Sequence, residues 1–352
     1  HLKLMECLRE MAPLYDDFIW EEERAATSAM EEKLGAYRAR VKTLFQRIDN
    51  FYGTGWDLSI PFKVSLYPIP LRAGVTTAVP KGNALICSFL SKSDKSYEGL
   101  LGVIVHEMCH ILFDEQSVKT QQQLDAWMLS STSPYAKLAY NYLDEGLATA
   151  LGNGWAFTQL HGKYDTTQWY NDPYIEGFAR ALYPMVTEYM DAGKSLDQSF
   201  VERAIELFGE TFPEANKTPK TLLTEMHLYA DLARPEDLQK VGGTFQKQLG
   251  TLSMWMSTPI RDEESMASFS KPGLTKTIVI GREAVENQEY LRKHFPELPA
   301  APITKGWVAV WDDATNSSVF LIVMEEFSDF EQAVAMIRET ENLEFGMVTT
   351  WD

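Results

Sequence analysis

The feature that most constrains this chain is an apolar run over residues 100–113 that three polar side chains interrupt. These are His106, Glu107 and His110, in the order His-Glu-Met-Cys-His. On a helix, residues four apart differ by about 40° in direction and about 6 Å along the axis, so both imidazoles project from one face. A helix buried among apolar neighbours needs a partner for such polar groups. The run therefore predicts a buried helix near 98–114 whose polar face binds something.

The spacing of the two histidines suits a metal ion. Their ring nitrogens can reach one zinc ion at about 2.0–2.1 Å, and Glu107 flanks the same face, where it can take a proton from water without being a ligand. A third ligand is expected nearby, and Glu145 is the best candidate because Gly146 and other small residues follow it in a helical segment. We predict one zinc ion per chain, held by His106, His110 and Glu145. The same ligand set can also hold Fe(II), cobalt or manganese.

Two short motifs carry a resemblance to a known group of enzymes. His106-Glu-Met-Cys-His110 followed by Leu143-Asp-Glu145-Gly-Leu-Ala resembles the gluzincin metallopeptidases, which include the thermolysin-like and aminopeptidase families. The resemblance implies that zinc is bound by His106, His110 and Glu145 and that Glu107 is the general base. It also implies a zincin-like domain with a small mixed sheet and mostly helices. It leaves the rest of the chain unassigned.

The same resemblance suggests residues around the metal. Asn83 and Ala84 loosely match the edge strand on which such enzymes hold an extended peptide, so they are candidate substrate-binding residues. Thermolysin-like members have an Asp four residues after the ligand Glu, and it orients the first His. This chain has Thr149 at that position, and Asp144 or Asp114 could serve instead.

Gluzincins also use a Tyr or a His to stabilise the oxyanion of the reaction. Tyr174 is the first candidate for this catalytic role, and His227 is the second. Both residues also have an ordinary structural reading, as a packing tyrosine and as a core or surface histidine.

Apolar spacing divides the first two thirds of the chain into three regions. Residues 2–51 have helical periodicity. Residues 62–90 are predicted to form three strands, because alternating or β-branched segments are separated by Pro and Gly. Residues 97–232 return to helical patterns, with a last helix expected at 219–233.

The last third has a different pattern. Strand and helix signals after residue 273 follow the order βαββαβ, which is typical of a split-βαβ, ferredoxin-like sandwich. The predicted fold class is therefore α+β: a zincin-like metallopeptidase domain over 1–234, a linker or irregular segment over 235–272, and a small ferredoxin-like α+β domain over 273–352.

Charge limits the partners that we expect. The chain has 32 basic and 50 acidic residues, a formal net charge of −18, which disfavours nucleic acid and anionic lipid surfaces. Its longest apolar run is shorter than the roughly 20 residues of a membrane-spanning helix. A peptide or protein substrate is the expected partner, without membrane insertion, and the oligomeric state stays open.

The compartment is only weakly indicated. Three cysteines permit at most one disulfide. The numbered chain begins with His1, as a trimmed mature chain would. We therefore favour an extracytoplasmic location, periplasmic or secreted, over a cytoplasmic one.

Two functions from different classes follow from these patterns. The first is a zinc-dependent hydrolase, a peptidase, that uses metal-activated water with Glu107 as the general base. The second is a catalytically inactive zinc-binding or scaffold protein that acts through its C-terminal α+β domain. A fourth protein ligand would favour the second function, and the motifs supply only three.

Overall fold

The computed structural model describes residues 2–69, 77–90, 97–234, 236–251 and 253–351. The fold is α+β and 55% helical, with two small mixed sheets, which confirms the predicted class. Among the described residues no helix combines the length and the apolarity needed to cross a membrane.

The chain folds into two compact units. Unit 1 consists of His1–Leu124 and Tyr142–Leu207, and unit 2 of Asp125–Asn141 and Phe208–Asp352. Residues 208–234, which we expected in the first domain, therefore group with the C-terminal part of the chain.

Most of the α-helices occupy the first 211 residues. In chain order these are α1 (Leu2–Tyr15), α2 (Glu21–Gly35), α3 (Arg38–Tyr52), α4 (Glu98–Asp114), α5 (Val118–Leu129), α6 (Ala136–Thr149), α7 (Phe157–His161), α8 (Pro173–Ala192) and α9 (Gln198–Thr211). Two π-helical segments, Asp16–Trp20 and Ala150–Ala156, continue α1 into α2 and α6 into α7.

The sheet of unit 1 has three strands in the order β1-β3-β2. They are β1 (Lys63–Ile69), β2 (Ala78–Lys81) and β3 (Ala84–Leu90). The central strand β3 pairs in parallel with β1 and antiparallel with β2. The predicted strands are thus present, except that residues 75 and 76 of the second one lie outside the described residues.

Unit 2 contains a six-stranded sheet in the order β5-β4-β6-β8-β7-β9. Its strands are β4 (Glu225–Asp231), β5 (Ser253–Ser257), β6 (Thr275–Ile280), β7 (Gly306–Asp312), β8 (Ser317–Val323) and β9 (Val348–Thr350). Its helices are α10 (Pro219–Leu222), α11 (Asp237–Leu249), α12 (Glu263–Phe269), α13 (Ala284–Leu291) and α14 (Phe327–Glu339). Every residue of β6 and β8 is buried, because strands in the middle of a covered sheet are enclosed on both faces.

The ferredoxin-like prediction for residues 273–352 is wrong in topology, although the order βαββαβ is present. A split βαβ unit places the strands before and after its helix parallel to each other. Here β6 is parallel to β8 and β8 is antiparallel to β7, so β6 and β7 run in opposite directions. The position of β9 also differs: β4 occupies the edge of β6 at which a ferredoxin-like sheet places its last strand, so β9 pairs with β7 instead.

Two further expectations for this part of the chain are wrong. The helix expected over 219–233 is a single turn, α10, followed by strand β4. Met226, Leu228 and Ala230 alternate with other residues, a period of two that indicates a strand. The segment 235–272, expected to be a linker, contains α11, β5 and α12.

Candidate metal centre

Two helices bring three possible metal ligands together. His106 and His110 lie on α4, and Glu145 lies on α6. The two Nε2 atoms are 3.0 Å apart, and Glu145 Oε2 lies 3.5 Å from His106 Nε2 and 3.6 Å from His110 Nε2. Ligand atoms that surround zinc tetrahedrally at 2.0–2.1 Å are about 3.3–3.4 Å from one another. The three atoms are therefore spaced as one ion requires, and this group could hold a metal.

The polar atoms of the site also fit a cation. Glu145 Oε2 is buried and has no hydrogen-bond partner among the described residues, which is costly for a carboxylate unless a positive charge faces it. Burial acts to raise the pKa of Glu145, but the two histidines hold it well below its usual range. Burial likewise opposes protonation of His110, yet Asp144 and Glu145 raise its pKa to about 10. The two carboxylates therefore favour a positive charge beside His110.

The outer nitrogen of each histidine ring has a neighbour that fixes its direction. His110 Nδ1 donates to Asp144 Oδ2 at 2.9 Å. Thr149 Oγ1 lies 3.4 Å from His106 Nδ1. Both contacts leave Nε2 directed at the ligand triangle, as outer partners of metal-binding histidines do. Asp144 thus contacts the second histidine, His110, and not the first, and Thr149 is the residue beside His106.

A glycine sets the distance between α4 and the segment that follows α6. A Cβ atom at Gly152 would lie 2.6 Å from the backbone nitrogen of His106 and 2.8 Å from the carbonyl oxygen of Gly102. No side chain fits at such a crossing. Gly146, which follows Glu145 in α6, faces Phe178 of α8 instead.

Glu107 is half-buried beside the ligands. Burial raises the pKa of its carboxyl group, His106 and His110 oppose that rise, and Glu145 adds to it, with a net pKa above the ordinary value. A carboxylate with a raised pKa is a better proton acceptor near neutral pH.

Sequence reasoning missed one residue of the site, Tyr170. Its ring stacks on His106 with 6.1 Å between centroids and 26° between planes. Burial and then the charge of Glu145 raise the pKa of Tyr170 to about 12, so the hydroxyl keeps its proton at neutral pH. Tyr170 lies in the segment between α7 and α8, where no motif marks it.

Two side chains of α8 hold the backbone of this segment. Glu176 Oε2 accepts hydrogen bonds from the backbone N–H groups of Trp169 and Tyr170 at 2.9 and 2.8 Å. Arg180 Nε donates to the other oxygen of Glu176 at 3.0 Å, and its guanidinium lies 3.8 Å from the centre of the Trp169 ring. The position of Tyr170 over His106 is thus tied to a long helix.

Tyr174 and His227 lie in other surroundings. Tyr174 is in the first turn of α8, where Asp172 caps the helix, and its ring stacks on Tyr142 of α6. His227 is buried in β4 of unit 2, hydrogen-bonded to Ser257 and stacked on Tyr229.

The structure does not place Asn83 and Ala84 on an edge strand. Ala84 begins β3, which has partners on both sides, and Asn83 Nδ2 donates to the carbonyl of Pro61. A strand whose backbone groups are already paired on both sides cannot add a peptide. The expectation that these residues bind an extended substrate at an edge is therefore wrong.

Comparison of this chain with protein-family models, with curated proteins and with solved structures gave no match.

Proposed function

We propose that this chain is a zinc-dependent hydrolase of peptide or amide bonds, built on a zincin-like metallopeptidase domain. The observation that carries the proposal is the triangle of His106 Nε2, His110 Nε2 and Glu145 Oε2, with sides of 3.0 to 3.6 Å, beside the half-buried Glu107. Three protein ligands are what catalytic zinc sites have, whereas structural sites have four.

Zinc bound there supplies a Lewis acid that polarises a carbonyl group and lowers the pKa of water. Glu107 accepts a proton from the attacking water and passes it to the leaving amine, for which its raised pKa suits it. Tyr170 keeps its phenolic proton and donates it, as a hydrogen bond, to the oxygen on which negative charge develops. In this role Tyr170 replaces Tyr174, because Tyr170 is the tyrosine that stacks on His106.

The ligand set is tested by metal content. We expect about one zinc per chain in protein prepared without chelators, measured by elemental mass spectrometry, and a sharp loss in Glu145→Ala. Glu115→Ala, an exposed glutamate at the end of α4, is the matched control and keeps its metal. A wild-type chain that takes up no metal when zinc is supplied contradicts the proposal.

The reaction is tested separately. A peptide library digested by the zinc-loaded chain identifies a cleaved sequence, and Glu107→Gln is expected to keep zinc while losing at least about 10²-fold in rate. An unchanged rate in this variant removes Glu107 from the mechanism. Stoichiometric zinc without cleavage of any peptide favours the inactive zinc-binding or scaffold protein.

A further inference from the structure

Unit 1 contains a large apolar groove on the side of α4 that faces away from the two histidines. Its volume is about 650 Å³. Met108 lines it and lies two residues from both His106 and His110, which places it on the opposite side of the helix. Trp56 and Phe62 also line the groove, with stacked rings whose centroids are 4.9 Å apart. The groove is therefore separate from the candidate metal centre.

Apolar side chains in the walls of this groove are exposed to solvent. Leu58, Ile60 and Val64 line it and remain 48%, 44% and 40% exposed. Arg38, Lys42 and Glu31 also line it and are exposed. In the described part of the chain neither of these two cations has a carboxylate at ion-pair distance. The groove thus offers apolar surface beside two unpaired positive charges in a chain of net charge −18.

A second unpartnered apolar surface lies on α1 and the π-helical turn after it. No residue of α1 is buried. Leu4, Leu8, Met11, Tyr15 and Phe18 recur at steps of four and three and are 38–71% exposed, so they form one stripe along the helix. We call these five residues the α1 stripe.

The α1 stripe cannot reach the groove of its own chain. The backbone is helical from α1 through the π-helical segment to the end of α2, and Leu34 near that end lines the groove. Leu8 is 26 residues earlier, a distance of about 39 Å along a helix. An α1 stripe that fills this groove must therefore belong to another molecule.

We propose that the apolar groove binds the α1 stripe of a second copy of this chain, and that two copies exchange these helices reciprocally. An amphipathic helix laid in an apolar groove uses the i, i+4, i+7 spacing that the stripe has. Residues 2–18 carry four acidic and two basic side chains, which complements Arg38 and Lys42 of the groove. Reciprocal exchange closes the assembly with two-fold symmetry and forms the contact twice.

Cysteine crosslinking tests this contact directly, because Cys7 on α1 is exposed and the other two cysteines are buried. We expect Leu58→Cys, in the groove wall, to form a disulfide-linked dimer under mild oxidation, and the additional change Cys7→Ser to abolish it. Val118→Cys is the matched control, since Val118 is exposed and does not line the groove; it stays uncrosslinked. A Cys7–Cys7 dimer in the unmodified chain overturns the proposal, because the helices would then pair with each other.

Sedimentation of the chain of residues 1–352 gives a second test. We expect a dimer that Leu8→Asp converts to monomer and Val118→Asp leaves unchanged. Arg38→Glu is expected to weaken association at least about tenfold, and Glu10→Lys in the same chain to restore part of it. A wild-type chain that is monomeric at about 100 µM overturns the proposal. So does a monomer from which organic solvent extracts an apolar ligand, because a small molecule would then occupy the groove.

Discussion

A single contact at Nδ1 orients each of the two histidine rings toward a metal ion. Asp144 holds His110 through a 2.9 Å bond to Nδ1, and Thr149 stands 3.4 Å from Nδ1 of His106. The first contact is the stronger because it joins a carboxylate to an imidazole N–H. The two rings therefore differ in how firmly they are oriented.

We expect Asp144→Asn to lower zinc affinity by about 10–100-fold, the range found when such outer partners are removed. Competition with a chromophoric chelator measures it. Thr149→Val is expected to have a smaller effect, because its contact with His106 is longer. Equal affinity in Asp144→Asn and the wild type would show that Asp144 does not orient His110.

A buried histidine in unit 2 gives a pH dependence. Burial, with the nearby charges of Lys271 and Lys276, lowers the pKa of His227 to about 4, whereas the unfolded chain has about 6.5. Below pH 6.5 the unfolded state binds the proton more readily, so stability falls as the pH drops from 6.5 to 4, by up to about 3 kcal/mol. Urea unfolding at pH 7 and pH 4 is expected to show this loss in the wild type and a smaller one in His227→Gln. Identical losses would exclude His227 as its source.

At the scale of elements, the metal centre depends on how closely α4 approaches the π-helical segment after α6. Gly152 permits that approach beside the backbone of His106. On the other side of the site, Glu176 and Arg180 of α8 hold the segment that carries Tyr170. Three helical elements therefore determine the position of the ligands and of the nearby hydroxyl group.

We expect Gly152→Ala to destabilise the chain by about 1–3 kcal/mol, because the added methyl group overpacks the crossing, and to reduce zinc binding as His106 moves. Thermal unfolding and metal content measure both effects. Gly99→Ala is the matched control in α4, since a Cβ there meets nothing within 4 Å; it is expected to be neutral or slightly stabilising. A Gly152→Ala chain with normal stability and zinc would show that the helices can separate freely.

At the scale of the whole molecule, the two units have different architectures. Unit 1 combines helices with a three-stranded sheet and holds the candidate metal centre, and unit 2 is organised around six strands. The order of strands in unit 2 determines where the chain can be truncated without dividing a sheet. The strands before residue 273 and those after it belong to one sheet, joined by the β4–β6 ladder.

We expect a chain that ends at residue 272 to aggregate or to lose residues 208–272 to limited proteolysis. The cut removes four of the six strands of the sheet and leaves β4 with an unpaired, apolar edge. Solubility and protease fragments identified by mass spectrometry give the answer. A soluble, protease-resistant 1–272 chain would show that β4 and β5 are stable without the rest of the sheet.

Part of the secondary structure and part of the candidate site could be predicted from the sequence alone. The apolar run around His106 and His110 predicted α4 within its observed bounds, because helical periodicity depends on residues three and four apart. The strands and helices after residue 273 were also predicted in the observed order, because the strand period of two is as local as the helical period. The spacing of the two histidines also places them on one face of any helix they form, whatever surrounds it.

Tertiary structure decided the rest. Which strands become neighbours depends on segments far apart in the chain, so the pairing of β4 with β6 and the central place of Ala84 in its sheet could not be predicted locally. Tyr170 stacks on His106, which lies in a distant helix, and Glu176 binds the backbone N–H of Tyr170. A local pattern specifies an element and the direction of its side chains, whereas contacts between distant segments depend on how the whole core packs.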